Sequence, residues 1–192
     1  MVMKSLSLSK PHVIIMVGVP GAGKSFFAER FSGTFSAPLV SWKNIRAELF
    51  NEPAYTKDED TIVERVALHM LDELYKTSAT ILYESDVQSQ AHRQIVSKRA
   101  KDADYEALLV WSQVDAATAK SRAAKSGMTP QQFARYDSTF TQPKPTDNPV
   151  VISGKHTYAS QLKIVLMRLV GARTVPNAKP RLRPTGNKVS IQ

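Results

Sequence analysis

One stretch near the start of the chain constrains the fold more than any other: Gly18-Val19-Pro20-Gly21-Ala22-Gly23-Lys24-Ser25. It follows a continuous apolar run, His12–Val17, rich in β-branched residues, which is the pattern of a strand buried on both faces of a parallel sheet. It opens a segment, Lys24–Phe31, whose Phe27, Ala28 and Phe31 share one helical face. The spacing G-x-x-x-x-G-K-S between a strand and a helix is that of a phosphate-binding loop. Gly21 and Gly23 let the backbone turn sharply and approach an anion closely. The N–H groups of Gly21 to Ser25 are expected to point inward at phosphate oxygens, aided by the partial positive charge of the helix start. Lys24 sets a full charge at the β- and γ-phosphates of ATP or GTP, and the Ser25 hydroxyl is suited to ligate Mg²⁺. The candidate nucleotide-binding residues are therefore Gly18, Val19, Pro20, Gly21, Ala22, Gly23, Lys24, Ser25 and Phe26.

Further along, strand and helix patterns alternate. Pro38–Ser41 reads as a second strand and Trp42–Phe50 as a helix. Thr56-Lys57-Asp58-Glu59 has the form of a capping box, and apolar residues recur at 62, 63, 66, 67, 70, 71, 74 and 75 along a long helix. Ala79–Tyr83 reads as a third strand, Ser89–Lys101 as a helix, Tyr105–Trp111 as a fourth strand and Asp115–Lys125 as a helix. Thr129-Pro130 has the form of an N-cap followed by proline, opening a helix to Phe140. Val150–Ser153 reads as a fifth strand and Tyr158–Val170 as a last amphipathic helix with Gly171 as its cap. This alternation predicts an α/β, three-layer sandwich of about five parallel strands with right-handed crossovers, ligands binding at the carboxyl ends of the strands. A helical lid is expected over residues 120–143.

With 192 residues, the chain suits a single α/β domain, here 12–171, after a lead-in over 1–11. Cysteine is absent, which excludes disulfides and thiolate metal sites. No apolar run reaches the length of a membrane span, so no membrane partner is expected and the cytoplasm is the expected location. The net charge of +9 is unevenly placed: residues 1–147 hold 18 of the 26 Lys+Arg and all 17 acids, whereas residues 148–192 hold eight basic residues and no acid. The stretch 172–192, with Pro176, Pro180, Pro184 and Gly186 among basic residues, is expected to lack regular structure. Such a segment suits a phosphate backbone, through salt-sensitive contacts, or simple solvation. His12, His69, His92 and His156 lack metal-ligand spacing and read as structural or surface residues. Trp42 follows a strand at its carboxyl end, where it either stacks on a base or acceptor or packs in the core, core packing being favoured; Trp111 reads as core and Asp72-Glu73 as a solvated pair.

From residue 12 to about 170, the loop and its flanking segments resemble the polynucleotide-kinase-type and zeta-toxin-like P-loop kinases. Ser41-Trp42-Lys43-Asn44-Ile45-Arg46 stands where these kinases carry Ser-Arg-Asp-Asp-x-x-Arg after the second strand. Glu84-Ser85-Asp86-Val87, with Arg93 further on, stands for their Asp-x-Thr-Asn, and Arg122-Ala123-Ala124-Lys125 for the lid motif Arg-Asn-x-x-Arg. Pro130-Gln131-Gln132-Phe133 and Phe140-Thr141-Gln142-Pro143 match the helix after the lid. The resemblance implies Mg²⁺-assisted transfer of the γ-phosphoryl group of ATP to a hydroxyl acceptor: a nucleic-acid 5′ end, a nucleotide or a small molecule. It implies that Lys24, Arg122 and Lys125 serve the phosphates and that Arg46 serves the acceptor side. The basic C-terminal segment tilts the acceptor towards a polynucleotide.

One departure bears on the chemistry. Lys43 occupies the position of the aspartate taken in the family as general base, and a protonated lysine cannot accept a proton. Either Glu84 or Asp86 supplies the missing carboxylate, Glu84 also being a candidate Mg²⁺ ligand with Ser25, or the domain binds nucleotide with weak transfer or none. A third reading places the main function in nucleic-acid binding by the basic tail.

Overall fold

The structure, a computed structural model, describes residues 8–171. Most of the expected lead-in and the whole basic segment 172–192 lie outside the described residues. The elements run β1 (His12–Val17), α1 (Lys24–Phe35), β2 (Leu39–Ser41), α2 (Trp42–Leu49), α3 (Lys57–Tyr75), β3 (Ile81–Glu84), α4 (Gln90–Asp102), β4 (Glu106–Gln113), α5 (Ala116–Lys125), α6 (Pro130–Thr139), β5 (Val150–Ser153) and α7 (Tyr158–Gly171). The five strands form one parallel sheet in the order β2-β3-β1-β4-β5.

Alternation along β1 explains its unbroken apolar sequence. Val13, Ile15 and Val17 face one layer, built from Val63, Ala67 and Leu71 of α3 and Val96 of α4. Ile14 and Met16 face the other, built from Phe27 and Phe31 of α1 and Val165 and Leu169 of α7. A strand covered on both sides has no polar face to show. The stripe that α3 buries is narrower than its apolar pattern suggests: Val63, Ala67, Leu71 and Tyr75 are buried at intervals of four, while Ile62 and Met70 are exposed. The same stripe begins one turn earlier with a buried charge, Asp60.

Helix starts fall into two kinds. Thr56, Ser89, Asp115 and Thr129 each accept a hydrogen bond from a first-turn N–H and cap α3, α4, α5 and α6. Thr129 and Gln132 form a reciprocal capping box. At α3 only half of the expected box is made: Glu59 sends its carboxylate to the N–H groups of Ala54 and Tyr55 instead of back to Thr56. α1 and α2 start without a side-chain cap, at Gly23 and Ser41. α1 also runs four residues past the expected Phe31, ending at Ser36 in the left-handed region. Gly171 is still helical and is the last described residue.

Candidate active site

Parallel pairing carries the carboxyl ends of three strands together. Glu84, the last residue of β3, lies in register with Met16 of β1 and with Ser41 of β2. The phosphate loop leaves β1 after Val17 and lies against α5. Gly21 has φ 77°, and a Cβ there would collide with the Ala119 carbonyl oxygen, so neither the conformation nor the space admits a side chain. Part of the loop is spent on its own shape: the Ala22 N–H donates to the Val19 carbonyl (3.1 Å), and Ser112 Oγ donates to the Ala22 carbonyl (2.7 Å). The Ala22 N–H is thus paired within the loop, where the motif predicts an inward-pointing donor.

Lys24 is buried, with Nζ donating to the carbonyls of Gly18 (2.8 Å) and Val19 (3.2 Å). Burial lowers its pKa, and the nearby carboxylates of Glu84 and Asp86 oppose that shift. Ser25 Oγ donates to Glu84 Oε1, and Ser41 Oγ donates to Glu84 Oε2 at 3.3 Å. Ser41 thus serves Glu84 instead of capping α2. Burial raises the Glu84 pKa, against the Lys24 charge and the Ser25 hydrogen bond. Burial likewise raises Asp86, against Lys24 and Arg46. Two carboxylates and an ammonium thus share one largely buried place, each shifted from its ordinary value by burial, a pattern that clusters at functional sites.

These groups open into a cavity of about 520 Å³. Pro20, Gly21, Gly23, Lys24, Ser25 and Phe26 line it from the loop and α1; Lys43 from α2, Tyr55, Glu84 and Asp86 join them; and Arg122, Ala123, Ser126 and Met128, with Gly154, Lys155 and His156 from the turn after β5, complete it. Arg122 is anchored by donating to the Gly154 carbonyl at 2.8 Å. Hard oxygen donors meet at Ser25 and Glu84, which fits Mg²⁺ held by one carboxylate and substrate phosphates. No cluster of three or more His, Cys, Asp or Glu able to hold a metal by itself occurs among the described residues.

Gly18, Val19 and Ala22 of the loop do not line the cavity, and of the residues expected to serve the phosphates and the acceptor, two lie elsewhere. Lys125 is exposed and does not line the cavity. Arg46 is fully buried behind Asp86. It donates to Glu59 (2.9 Å), Asp60 (2.6 Å) and Asp86 (3.5 Å), and its guanidinium lies over the Tyr55 ring. Arg135 and the Tyr136 hydroxyl, both on α6, also donate to Asp60, so one ionic cluster ties α2, α3 and α6 to the acid in the cavity. Burial lowers the Arg46 pKa, but Tyr136 and the surrounding acids more than offset it. Sequence reading missed Asp60, Arg135 and Tyr136; the only available signal was an acid heading the buried stripe of α3. His156 and Lys155 were missed as cavity residues because their loop is brought in only by strand order. Trp42 resolves as core: it is buried, and its Nε1 donates to the Tyr83 hydroxyl at 2.8 Å, which in turn meets His92 Nε2 at 2.8 Å. His92 reaches Glu64 through Nδ1, so it is a structural histidine.

A parallel sheet of this order, with a phosphate loop after its central strand and an acid at the end of the adjacent one, defines a P-loop protein of the small-kinase fold. The sequence model of the AAA domain family matches residues 13–142, and the chain belongs to that family. No curated protein sequence matches it. Among solved structures, the chain is similar to the APS kinase of Mycobacterium tuberculosis in complex with AMPPNP and APS, at 20% identity and TM-score 0.64 over 84% of this chain and 98% of that one. It is similar to a gluconokinase from Sinorhizobium meliloti, at 17% identity and TM-score 0.61 over 84% and 93% of the two chains. It is also similar to a chain of the Pnkp1/Rnl/Hen1 RNA repair complex, at 17% identity and TM-score 0.54 over 84% of this chain and 47% of that one. At these identities the likeness is one of fold. Among the described residues no helix is long and apolar enough to cross a membrane.

Proposed function

We propose that the protein is an ATP-dependent kinase that passes the γ-phosphoryl group to a hydroxyl acceptor. The observation that carries this reading is the pairing of Ser25 Oγ with Glu84, which joins the hydroxyl of the phosphate loop to a carboxylate inside the cavity. Glu84 is held by two serine hydroxyls and has no ion-pair partner among the described residues, as suits a metal ligand rather than a structural acid. Mg²⁺ on Ser25 and Glu84 would supply Lewis-acid stabilisation of the phosphates.

The remaining roles follow from position. Lys24 exchanges the Gly18 and Val19 carbonyls for phosphate oxygens and offsets charge there. Arg122, anchored on Gly154, meets the phosphates from the lid side. Asp86 takes the proton of the acceptor hydroxyl as its oxygen bonds to the γ-phosphorus and the bond to the β-phosphate oxygen breaks, leaving ADP. Its side chain is 23% exposed and lines the cavity, and burial raises its basicity above that of an ordinary carboxylate. Asp86 thereby fills the role that Lys43 cannot. Arg46 acts behind it as a positioning residue.

A reading with no transfer is favoured by one observation, the ammonium of Lys43 in the cavity. Incubation with γ-labelled ATP, Mg²⁺ and a panel of 5′-hydroxyl DNA and RNA, nucleosides, sugars and amino sugars separates the two. The kinase reading expects label in an acceptor and its loss in Asp86→Asn. ATP bound normally with no acceptor labelled would leave the module reading standing.

A further inference from the structure

The cations lining the cavity are not equivalent. Lys24 is held by two loop carbonyls, Arg122 by the Gly154 carbonyl and Lys155 by Asp115 at 2.5 Å. Just outside the cavity, Arg46 is taken by three acids and Arg135 by Asp60. Lys43 is the exception: it lines the same cavity as Glu84 and Asp86 yet has no hydrogen-bond or ion-pair partner among the described residues. Its helix is fixed from behind. Trp42, Ile45 and Arg46 bury the inner face of α2, leaving Lys43 on the open one.

Lys43 is exposed and shares the cavity with two carboxylates while pairing with neither, so its charge is available for a ligand. The donor phosphates do not need it, since the loop, Lys24 and Arg122 already address them. Lys43 comes from α2, and Tyr55, which also lines the cavity, comes from the segment between α2 and α3, both distinct from the phosphate loop and the lid.

We propose that Lys43 reads an anionic group on the acceptor, so that the substrate is a hydroxyl compound carrying a phosphate or carboxylate close to the hydroxyl that reacts. This rests on the kinase reading and narrows it. Lysine acts as a point charge, and so selects for charge without demanding the planar geometry that an arginine fork would. It also explains why a base position can hold a cation: with Asp86 taking the proton, the α2 position is released to bind substrate.

The test uses the full chain with Mg²⁺, ATP and matched acceptors: adenosine 3′-monophosphate against adenosine, and gluconate against glucose. The wild type is expected to prefer the anionic member of a pair through KM. Lys43→Ala should lower kcat/KM for the phosphate-bearing acceptor about tenfold more than for its neutral partner, the near-double charge of a phosphate monoester doubling what an exposed single pair contributes, and for the carboxylate about threefold more. Lys43→Arg should restore the preference and Lys43→Glu should reverse it. The pair that shows the effect identifies phosphate or carboxylate. Equal preference in the wild type, or an equal loss for both members in Lys43→Ala, overturns the proposal, the second placing Lys43 on the donor. The same acceptors are titrated by calorimetry against the protein loaded with AMPPNP. If no acceptor is phosphorylated but the anionic ones bind more tightly to wild type than to Lys43→Ala, the kinase reading fails and the anion site stands. If neither rate nor affinity separates the pairs, the anion site fails by itself.

Discussion

Replacing Asp60 with alanine tests the ionic cluster that backs the cavity. Asp60 is 7% exposed and accepts from Arg46 at 2.6 Å, from the Tyr136 hydroxyl at 2.8 Å and from Arg135. Removing one partner of a buried ion pair costs about 3–5 kcal/mol when the other is left uncompensated. Here Glu59 remains at 2.9 Å from Arg46, with Asp86 beyond it, so part of that cost is recovered. We therefore expect a loss of about 2–3 kcal/mol, equivalent to about 4–12 °C in Tm for a chain of this size. Urea unfolding followed by far-UV circular dichroism gives the free energy, and calorimetry gives the Tm. Coupling is measured by a double-mutant cycle with Arg46→Met, in which the double substitution should cost less than the sum of the single ones. A loss below about 0.5 kcal/mol, or strict additivity with Arg46→Met, would refute the claim that these charges form one buried unit.

Three further outcomes concern single positions. Gly33 is exposed inside α1 with no atom near an added Cβ, so Gly33→Ala should stabilise by about 0.5–1 kcal/mol in the same unfolding assay. At Gly154 an added Cβ would collide with the Ala22 carbonyl oxygen and lie 2.8 Å from Val114, so Gly154→Ala should displace the phosphate loop, costing about 1–3 kcal/mol together with ATP affinity measured by calorimetry. Burial holds the folded-state pKa of Glu84 above its ordinary 4.5, so its ionisation destabilises the ligand-free protein, increasingly as pH rises through that value and beyond. Glu84→Gln should therefore gain stability relative to the wild type as pH rises, a difference read from urea unfolding at paired pH values, while Mg²⁺-dependent ATP binding weakens.

The loop, the alternation of strands and helices and the caps at Thr56 and Thr129 were legible because each depends on neighbours within a turn or two of chain. Arg46 was legible as a residue with a role but not in its place. Its partners Asp60 and Tyr136 are 14 and 90 residues away, and only the packing of α3 and α6 decides that it faces them rather than the cavity. Lys125 was misplaced for a related reason: a lid motif names a spacing, whereas the direction each side chain takes depends on how α5 sits on the loop through Ala119 and Ala123. Trp42 could not be settled by its position at a strand end, since the hydroxyl that claims its indole N–H belongs to Tyr83 on the neighbouring strand. Lys155 and His156 carry no local signal at all; the sheet order β1-β4-β5 brings their loop to Gly23.

Every role proposed for this protein depends on Gly18–Ser25 and Glu84 holding a nucleoside triphosphate with its metal. Calorimetric titration of Mg·ATP into the wild type and into Lys24→Ala measures that directly. Saturable binding by the wild type, dependent on Mg²⁺, is expected, with a fall in affinity of about 100-fold or more in Lys24→Ala, the equivalent of roughly 2.7 kcal/mol. Equal affinity of the two proteins, or no binding by the wild type, would contradict it.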